Sequence, residues 1–219
     1  MYISSKLKVV YIHVPKTAGH TVTKYLENIS PNEINQGCLK NTPHLSANQI
    51  INLELRQKYP DGEYKDWFWF TTFRSPRERY ESIIRYNMQS KDIPPNEKNE
   101  PGVLTFLADR IVTQDRPSNE KGGALRSQHY YFDTDQVDVR LVAIDGPNWF
   151  KKIERKFGVD WDEVPINVTP QSIEVDLDKN IYNFFRAFSK FDWGVDDRIW
   201  AVIKHNGEDF NVRHIWHYN

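Results

Sequence analysis

The feature that most constrains this chain is a repeated grammar: an apolar run rich in β-branched and aromatic residues stops at a short polar loop, and helical periodicity follows at once. Residues 8–14, KVVYIHV, stop at Pro15, and from Thr17 onward Val22, Leu26 and Ile29 recur at helical spacing. Residues 66–73, DWFWFTTF, read as a second buried strand. After it Ser75 offers an N-cap, Pro76 suits the first helical position, Glu78 completes a capping box, and Tyr80, Ile83, Ile84 and Asn87 continue one face. Arg140 to Ile144 reads as a third strand, and Phe150, Ile153 and Phe157 set the face of the helix behind it. Strands alternating with helices imply an α/β fold with a largely parallel sheet covered on both faces.

The remaining segments fit around these units. Ser46 and Gln49 form a capping box that opens a helix through Ile50 and Leu53 toward Tyr59. Polar, proline-bearing stretches at 90–101 and 115–123 read as loops flanking a helix around Val103 to Ile111. Further helices are expected around 178–190, with Ile181, Phe184, Phe185 and Phe188 inward, and around 195–204. No repeat or low-complexity tract interrupts the pattern, and 219 residues suit one domain spanning 1–219.

Twenty-nine Lys and Arg against 30 Asp and Glu leave a formal charge of −1, which argues against a protein that coats nucleic acid, so any anion site must be local. No apolar run reaches the roughly 18 residues of a membrane span, and the first residues lack a signal peptide's pattern, so a soluble, cytoplasmic chain is expected. The two glycosylation-type triplets, Asn28-Ile29-Ser30 and Asn167-Val168-Thr169, then carry no weight. Cys38 is the only cysteine, which excludes an internal disulfide, and no Cys/His cluster has zinc-finger spacing.

Chemistry concentrates at the two strand-to-helix loops. In His13-Val14-Pro15-Lys16-Thr17-Ala18-Gly19-His20-Thr21, the helix start supplies unpaired N–H groups, Lys16 a point charge, Thr17 and Thr21 hydroxyls, and Gly19 close backbone approach. A phosphate or sulfate suits such a loop. The order differs from the G-x-x-x-x-G-K-[ST] pattern, because here the lysine precedes the glycine. In Thr72-Phe73-Arg74-Ser75-Pro76-Arg77-Glu78-Arg79-Tyr80-Glu81-Ser82, Arg74 stands at a strand's carboxyl end, where its fork can bind a second phosphate, with Ser82 two turns into the helix. Arg77, Glu78, Arg79 and Glu81 can equally decorate a solvated helix, a reading preferred for Arg77 but not for Arg74. Loops on neighbouring parallel strands would together grip two anionic ends of one ligand.

Pro15-Lys16-Thr17-Ala18-Gly19 after one strand and Arg74-Ser75-Pro76-x-x-Arg79-x-x-Ser82 after another resemble the sulfotransferases that use 3′-phosphoadenosine 5′-phosphosulfate (PAPS), in particular the carbohydrate-type branch that includes heparan sulfate 2-O-sulfotransferase. Leu125-Arg126-Ser127-Gln128 is similar to a family loop near the acceptor, and Asn167-Val168-Thr169 to a late polar motif. The resemblance implies a P-loop-like three-layer α/β/α fold and PAPS as co-substrate, with a hydroxyl-bearing acceptor, a carbohydrate being favoured. It implies that Lys16, Thr17, Ala18, Gly19 and Thr21 hold the 5′-phosphosulfate and that Arg74 and Ser82 hold the 3′-phosphate. His20 stands where the family has threonine or serine, and Ser75 where aspartate is frequent; His20 is retained among the donor-binding residues.

Sulfuryl transfer needs alignment and stabilisation of charge on the departing oxygen, a role suited to Lys16, and a base for the acceptor proton. His44, in Thr42-Pro43-His44-Leu45-Ser46, is the chosen base, since the resembled branch has a histidine base in a comparable segment; His20 competes, and Glu27 and Glu33 are less suited. Gln128 and Tyr130, with Tyr131 beside them, are the acceptor-side candidates. His214 and His217 lack a third metal ligand, and the scheme requires no metal. The competing functions are a nucleotide-dependent phosphotransferase on a divergent P-loop fold and a non-catalytic nucleotide- or glycan-binding module.

Overall fold

The structure, a computed structural model, describes residues 1–33, 44–113, 124–144, 148–160, 177–187, 193–206 and 210–211. Cys38, His214, His217, Phe188, the segment 115–123 and Asn167-Val168-Thr169 lie outside them, as does the side chain of Phe185. Strands β1 (Tyr2–Ser4), β2 (Val9–Ile12), β3 (Phe68–Phe73), β4 (Val139–Ala143) and β5 (Phe210–Asn211) form one mixed sheet in the order β1-β2-β3-β4-β5. The three central strands are parallel, with Ile12 opposite Thr71 and Thr71 opposite Leu141, and the two edge strands run antiparallel to their neighbours.

Both faces of the central strands are apolar, so side-chain alternation sends each set into its own helical cover. On one face Val9, Tyr11, Phe70 and Val142 pack with Val22, Tyr25 and Leu26 of α1 (Gly19–Ile29). On the other, Val10, Ile12, Trp69, Phe73 and Leu141 pack with Ile50, Ile51 and Leu55, which follow Ser46 along the chain. Those three belong to a helix that begins as α2 (Ala47–Ile50), passes through a π-helical turn at Ile51–Leu55 and ends as α3 (Arg56–Lys58). Helix α4 (Pro76–Met88) follows β3 and buries Tyr80, Ile83 and Ile84 against Val103 and Leu107 of α5 (Glu100–Thr113). After α6 (His129–Phe132), helix α7 (Lys151–Phe157) adds Ile153 to the α1 face. Helices α8 (Lys179–Ala187) and α9 (Trp193–Asn206) complete the described elements, α9 joining two clusters through Trp193 and Ile199. No described helix is long and apolar enough to cross a membrane.

Three expectations are refined. The Ser46 capping box is complete, Ser46 Oγ accepting from the Gln49 amide at 3.3 Å and Gln49 Oε1 from the Ser46 amide at 2.9 Å. The π turn then inserts a residue into the period, so Leu53 turns outward and is 50% exposed. At α4, Ser75 Oγ accepts from the Glu78 amide at 3.2 Å, but the Glu78 carboxylate leans to Arg74 Nε at 3.6 Å. On α8 Phe184, expected inward, is 72% exposed; Tyr182 instead packs toward Tyr80, with ring centroids 5.1 Å apart. Replacing Phe184 by serine should therefore move stability by no more than about 0.5 kcal/mol, whereas Phe73→Ala should cost about 3–5 kcal/mol, both read from denaturant midpoints. A large loss at Phe184 would show that α8 is docked the other way round.

Candidate functional site

Because β2 and β3 are adjacent and parallel, the loops after them leave the same edge of the sheet, where ligands of open α/β sheets bind. Buried hydroxyls fasten the first loop to the second strand. Thr72 Oγ1 donates to the Thr17 carbonyl at 2.5 Å and lies 2.8 Å from the Tyr11 hydroxyl, while Thr17 Oγ1 donates to the Val14 carbonyl at 2.9 Å. The single hydroxyl proton of Thr17, one of the expected anion donors, is thus committed within the loop. Thr21, the second, is buried on α1. Lys16 and Ala18 both adopt left-handed backbone, with φ of 67° and 61°, a conformation that costs a side-chain-bearing residue free energy and persists only under outside restraint. Ala18 is also the N-cap residue of α1, and no side chain caps that end, nor does the first turn hold an acidic residue.

Gly19 serves a different need from the one expected. A Cβ there would fall 1.7 Å from Cδ2 of His13, so glycine makes room for a buried imidazole. His13, at the end of β2, shares Tyr11's face by simple alternation, which is the signal that places it toward α1. Its ring is met edge-on by His20, 4.9 Å between centroids, and by His44 at 4.4 Å. His44 Nδ1 lies 2.9 Å from the His13 carbonyl. A carbonyl only accepts, so Nδ1 carries the proton and Nε2 keeps the lone pair. Burial pulls the His44 imidazolium down to about 4, the bond to His13 opposing it, so the ring is neutral at pH 7. His13 is held well below its usual value, first by burial. His20, exposed in the first turn of α1, is also lowered, mainly by partial desolvation, with the charge of Lys16 adding to it. Among the described residues no group of three His, Cys, Asp or Glu side chains is arranged to hold a metal ion.

Three cations of the two motifs meet different fates. Arg79 is fully buried: its Nε donates to the Pro15 carbonyl at 3.0 Å, Nη1 to Arg126 at 2.9 Å and Nη2 to Ala124 at 2.8 Å, and the guanidinium sits 4.9 Å from the Trp193 ring centroid. It does not decorate a solvated face; it ties α4 to the first loop. Lys16 is half-buried, with Nζ 4.0 Å above the Tyr86 ring and no carboxylate paired with it among the described residues. Burial, reinforced by the charge of Arg74, pulls its ammonium down to about 8. Arg74 keeps its side chain a third exposed, and its Nε has no hydrogen-bond partner among the described residues. Ser82 lies half-exposed two turns into α4.

The acceptor-side candidates divide. Gln128 is fully buried, and both ends of its amide grip Arg74: Oε1 accepts from the Arg74 amide at 3.0 Å and Nε2 donates to its carbonyl at 2.8 Å. It orients Arg74 and is closed to an acceptor. The Asp196 carboxylate in turn accepts from the amides of Gln128 at 2.6 Å and His129 at 3.0 Å. Tyr131 is buried, whereas Tyr130 stays half-exposed beside the Arg126 guanidinium, 4.4 Å from its centroid. Glu33 is engaged by Ser5 and Lys58 at 2.8–3.1 Å, well away from the loops. Arg79, His13, Gln128 in its bracing role and Tyr86 are the residues that sequence reasoning did not assign.

Comparison with models of known families, with curated proteins and with solved structures returns no match. The packing of Gly19 on His13 makes a double-mutant cycle informative. Gly19→Ala alone should destabilise by about 1–3 kcal/mol through overpacking, and the penalty should largely vanish in a His13→Ala background. Equal penalties in both backgrounds would mean that the glycine answers to something other than the imidazole.

Proposed function

We propose that this chain is a PAPS-dependent sulfotransferase acting on a hydroxyl acceptor, with a saccharide favoured. The observation that carries the reading is the convergence, at one sheet edge, of a desolvated lysine and an arginine, the lysine without a carboxylate and the arginine Nε without a hydrogen-bond partner among the described residues, beside a helix start without a side-chain cap. A lysine without a paired carboxylate among the described residues, beside an arginine held only loosely by Glu78 at 3.6 Å, fits a ligand with two anionic ends. A P-loop-like, three-layer α/β/α arrangement belongs to the same reading, supported by the apolar helical cover on each face of the sheet.

In this scheme bound PAPS supplies the sulfuryl group: the acceptor oxygen bonds to sulfur as the sulfur–oxygen bond to the phosphate breaks, its electron pair staying on the phosphate. Lys16 stabilises that departing negative charge, in a partly desolvated setting where a charge acts more strongly. Arg74, its backbone held by Gln128, receives the 3′-phosphate, and Ser82 adds a hydroxyl. His44 Nε2 takes the acceptor proton, its tautomer set by the bond from Nδ1 to the His13 carbonyl. An anionic ligand alongside raises the imidazolium from about 4 toward the range where a base is effective. His20, near Lys16, is left to contact the sulfate.

A thermal-shift comparison tests the reading. Adenosine 3′,5′-bisphosphate at a hundredfold excess over Kd should stabilise the chain by about 2.7 kcal/mol, or roughly 5–10 °C, while ATP, ADP and AMP do much less. Lys16→Ala should abolish transfer, Arg74→Ala should mainly weaken donor affinity, and His44→Asn should lower kcat with donor affinity kept. Selective stabilisation by ATP with Mg²⁺ would favour a phosphotransferase instead, and donor binding without turnover across a broad acceptor panel a non-catalytic module.

The lowered lysine fixes a pH dependence. Anion binding favours the ammonium and raises its pKa, so affinity for adenosine 3′,5′-bisphosphate is full below about pH 7. It should fall as pH climbs through about 8, by up to about tenfold per unit until the bound-state value is passed. Calorimetric titrations between pH 7 and 10 should show this fall in the wild type and a flat profile in Lys16→Arg, whose guanidinium stays charged. A flat wild-type profile would detach Lys16 from the bound anion.

A further inference from the structure

Tyr86 touches the residue around which transfer would occur. Positions 78, 82 and 86 are spaced by four, which stacks them along one side of α4, and Arg74, ahead of the helix, meets that row through Glu78 at 3.6 Å. Ser82 occupies the row, and Tyr86 follows, 57% exposed, with the Lys16 ammonium 4.0 Å from its ring centroid. The other large exposed apolar side chains among the described residues are Leu53, Val159 and Phe184. We infer that Tyr86 is the platform on which the ring of a pyranose acceptor stacks, an inference that rests on the sulfotransferase reading.

The argument is one of placement and chemistry. Lys16 marks the sulfuryl end of the donor, and an acceptor hydroxyl must come within about 3–3.5 Å of the reacting atom. A sugar lying on the exposed part of a ring that borders the ammonium brings its hydroxyls toward that end of the donor. The face of an aromatic ring is electron-rich, so it attracts both the ammonium and the polarised C–H groups of a pyranose. Tyrosine also has few rotatable bonds, and α4 anchors this one beside buried Asn87, so holding it still costs little entropy. Ser82, assigned to the 3′-phosphate, lies one turn before Tyr86, so the donor-affinity arm of the test separates a stacked pyranose from the adenosine of the donor.

The test measures acceptor kinetics and donor affinity in the same full-length variants. Tyr86→Ala, Tyr86→Phe and Tyr86→Trp are assayed with PAPS and a panel of 4-nitrophenyl pyranosides, with glycerol as a ring-free hydroxyl, and adenosine 3′,5′-bisphosphate affinity is measured by calorimetry. Tyr86→Ala should raise KM for the best pyranoside by about tenfold or more while Phe and Trp stay within about threefold, and adenosine 3′,5′-bisphosphate affinity should hold within about threefold throughout. An unchanged pyranoside KM in Tyr86→Ala overturns the platform. So does a loss confined to adenosine 3′,5′-bisphosphate affinity, which would assign the ring to the donor, or a loss confined to kcat, which would leave it only tuning Lys16. A wild type that sulfates glycerol but no pyranoside overturns it as well. Failure of adenosine 3′,5′-bisphosphate to bind the wild type is a different result, which removes the sulfotransferase reading itself.

Discussion

The buried guanidinium of Arg79 is the contact on which the geometry of this sheet edge depends. A cation removed from water must find fixed partners, and Arg79 finds three backbone carbonyls, from Pro15 in the first loop and from Ala124 and Arg126 ahead of α6. The carboxylate of Asp196 works against its desolvation, and the Trp193 ring lies against it. Lysine has neither the planar fork nor enough directed donors to reach all three carbonyls. Helix α4 is thereby fixed to the loop that carries Lys16, and the Gln128 amide fixes the segment ahead of α6 to the backbone of Arg74. Each of the two candidate anion ligands therefore hangs on a buried polar side chain whose nitrogen and oxygen atoms all have hydrogen-bond partners.

Against those paired groups the neighbouring deficit is meaningful. Lys16 is desolvated and repelled by Arg74 and has no carboxylate among the described residues, while Arg74 reaches Glu78 only at 3.6 Å. A desolvated cation without a carboxylate beside a second, loosely paired one costs stability, and a chain with nearly equal numbers of acidic and basic residues has carboxylates enough to neutralise both. The left-handed backbone at Lys16 and Ala18 adds a second cost in the same loop, borne by the Thr17–Thr72–Tyr11 hydroxyl chain and the Arg79 bond to Pro15. Charge deficit and backbone strain coincide at the point where the parallel strands end, and that coincidence separates a candidate site from an ordinary strand-to-helix turn.

Much of the fold was legible because it is written in local signals. The aromatic and β-branched runs became β2, β3 and β4, and Ser46 and Ser75 cap helices where their side chains allow. What escaped depends on partners far away in sequence. A π turn cannot be read from apolar spacing, so Leu53 was assigned to the wrong side. Phe184 misled because a strongly amphipathic pattern says that one face is apolar but not which neighbour covers it. In the site, Lys16 and Arg74 were legible from their position at strand ends. Gln128 was not, because an amide that braces another residue's backbone across 54 positions looks, in one dimension, like an amide free to meet a ligand. Arg79 was hidden for the same reason: among Arg77, Glu78 and Glu81 it reads as one more surface charge, and only the third dimension turns it inward.

The loop after β2 also shows why a glycine beside a lysine need not mean a backbone wrapped around phosphate. In a phosphate-cradling loop glycine lets backbone N–H groups close on the ligand. Here the missing Cβ is filled by the ring of His13, while the carbonyl of His13 fixes the proton on His44. One residue just after β2 thus sets both the packing of the helix start and the tautomer of the neutral histidine nearby. The His13 ring also packs against His44 and His20, so the loop after β2 and the candidate base form a single packed unit, with His20 as its exposed flank.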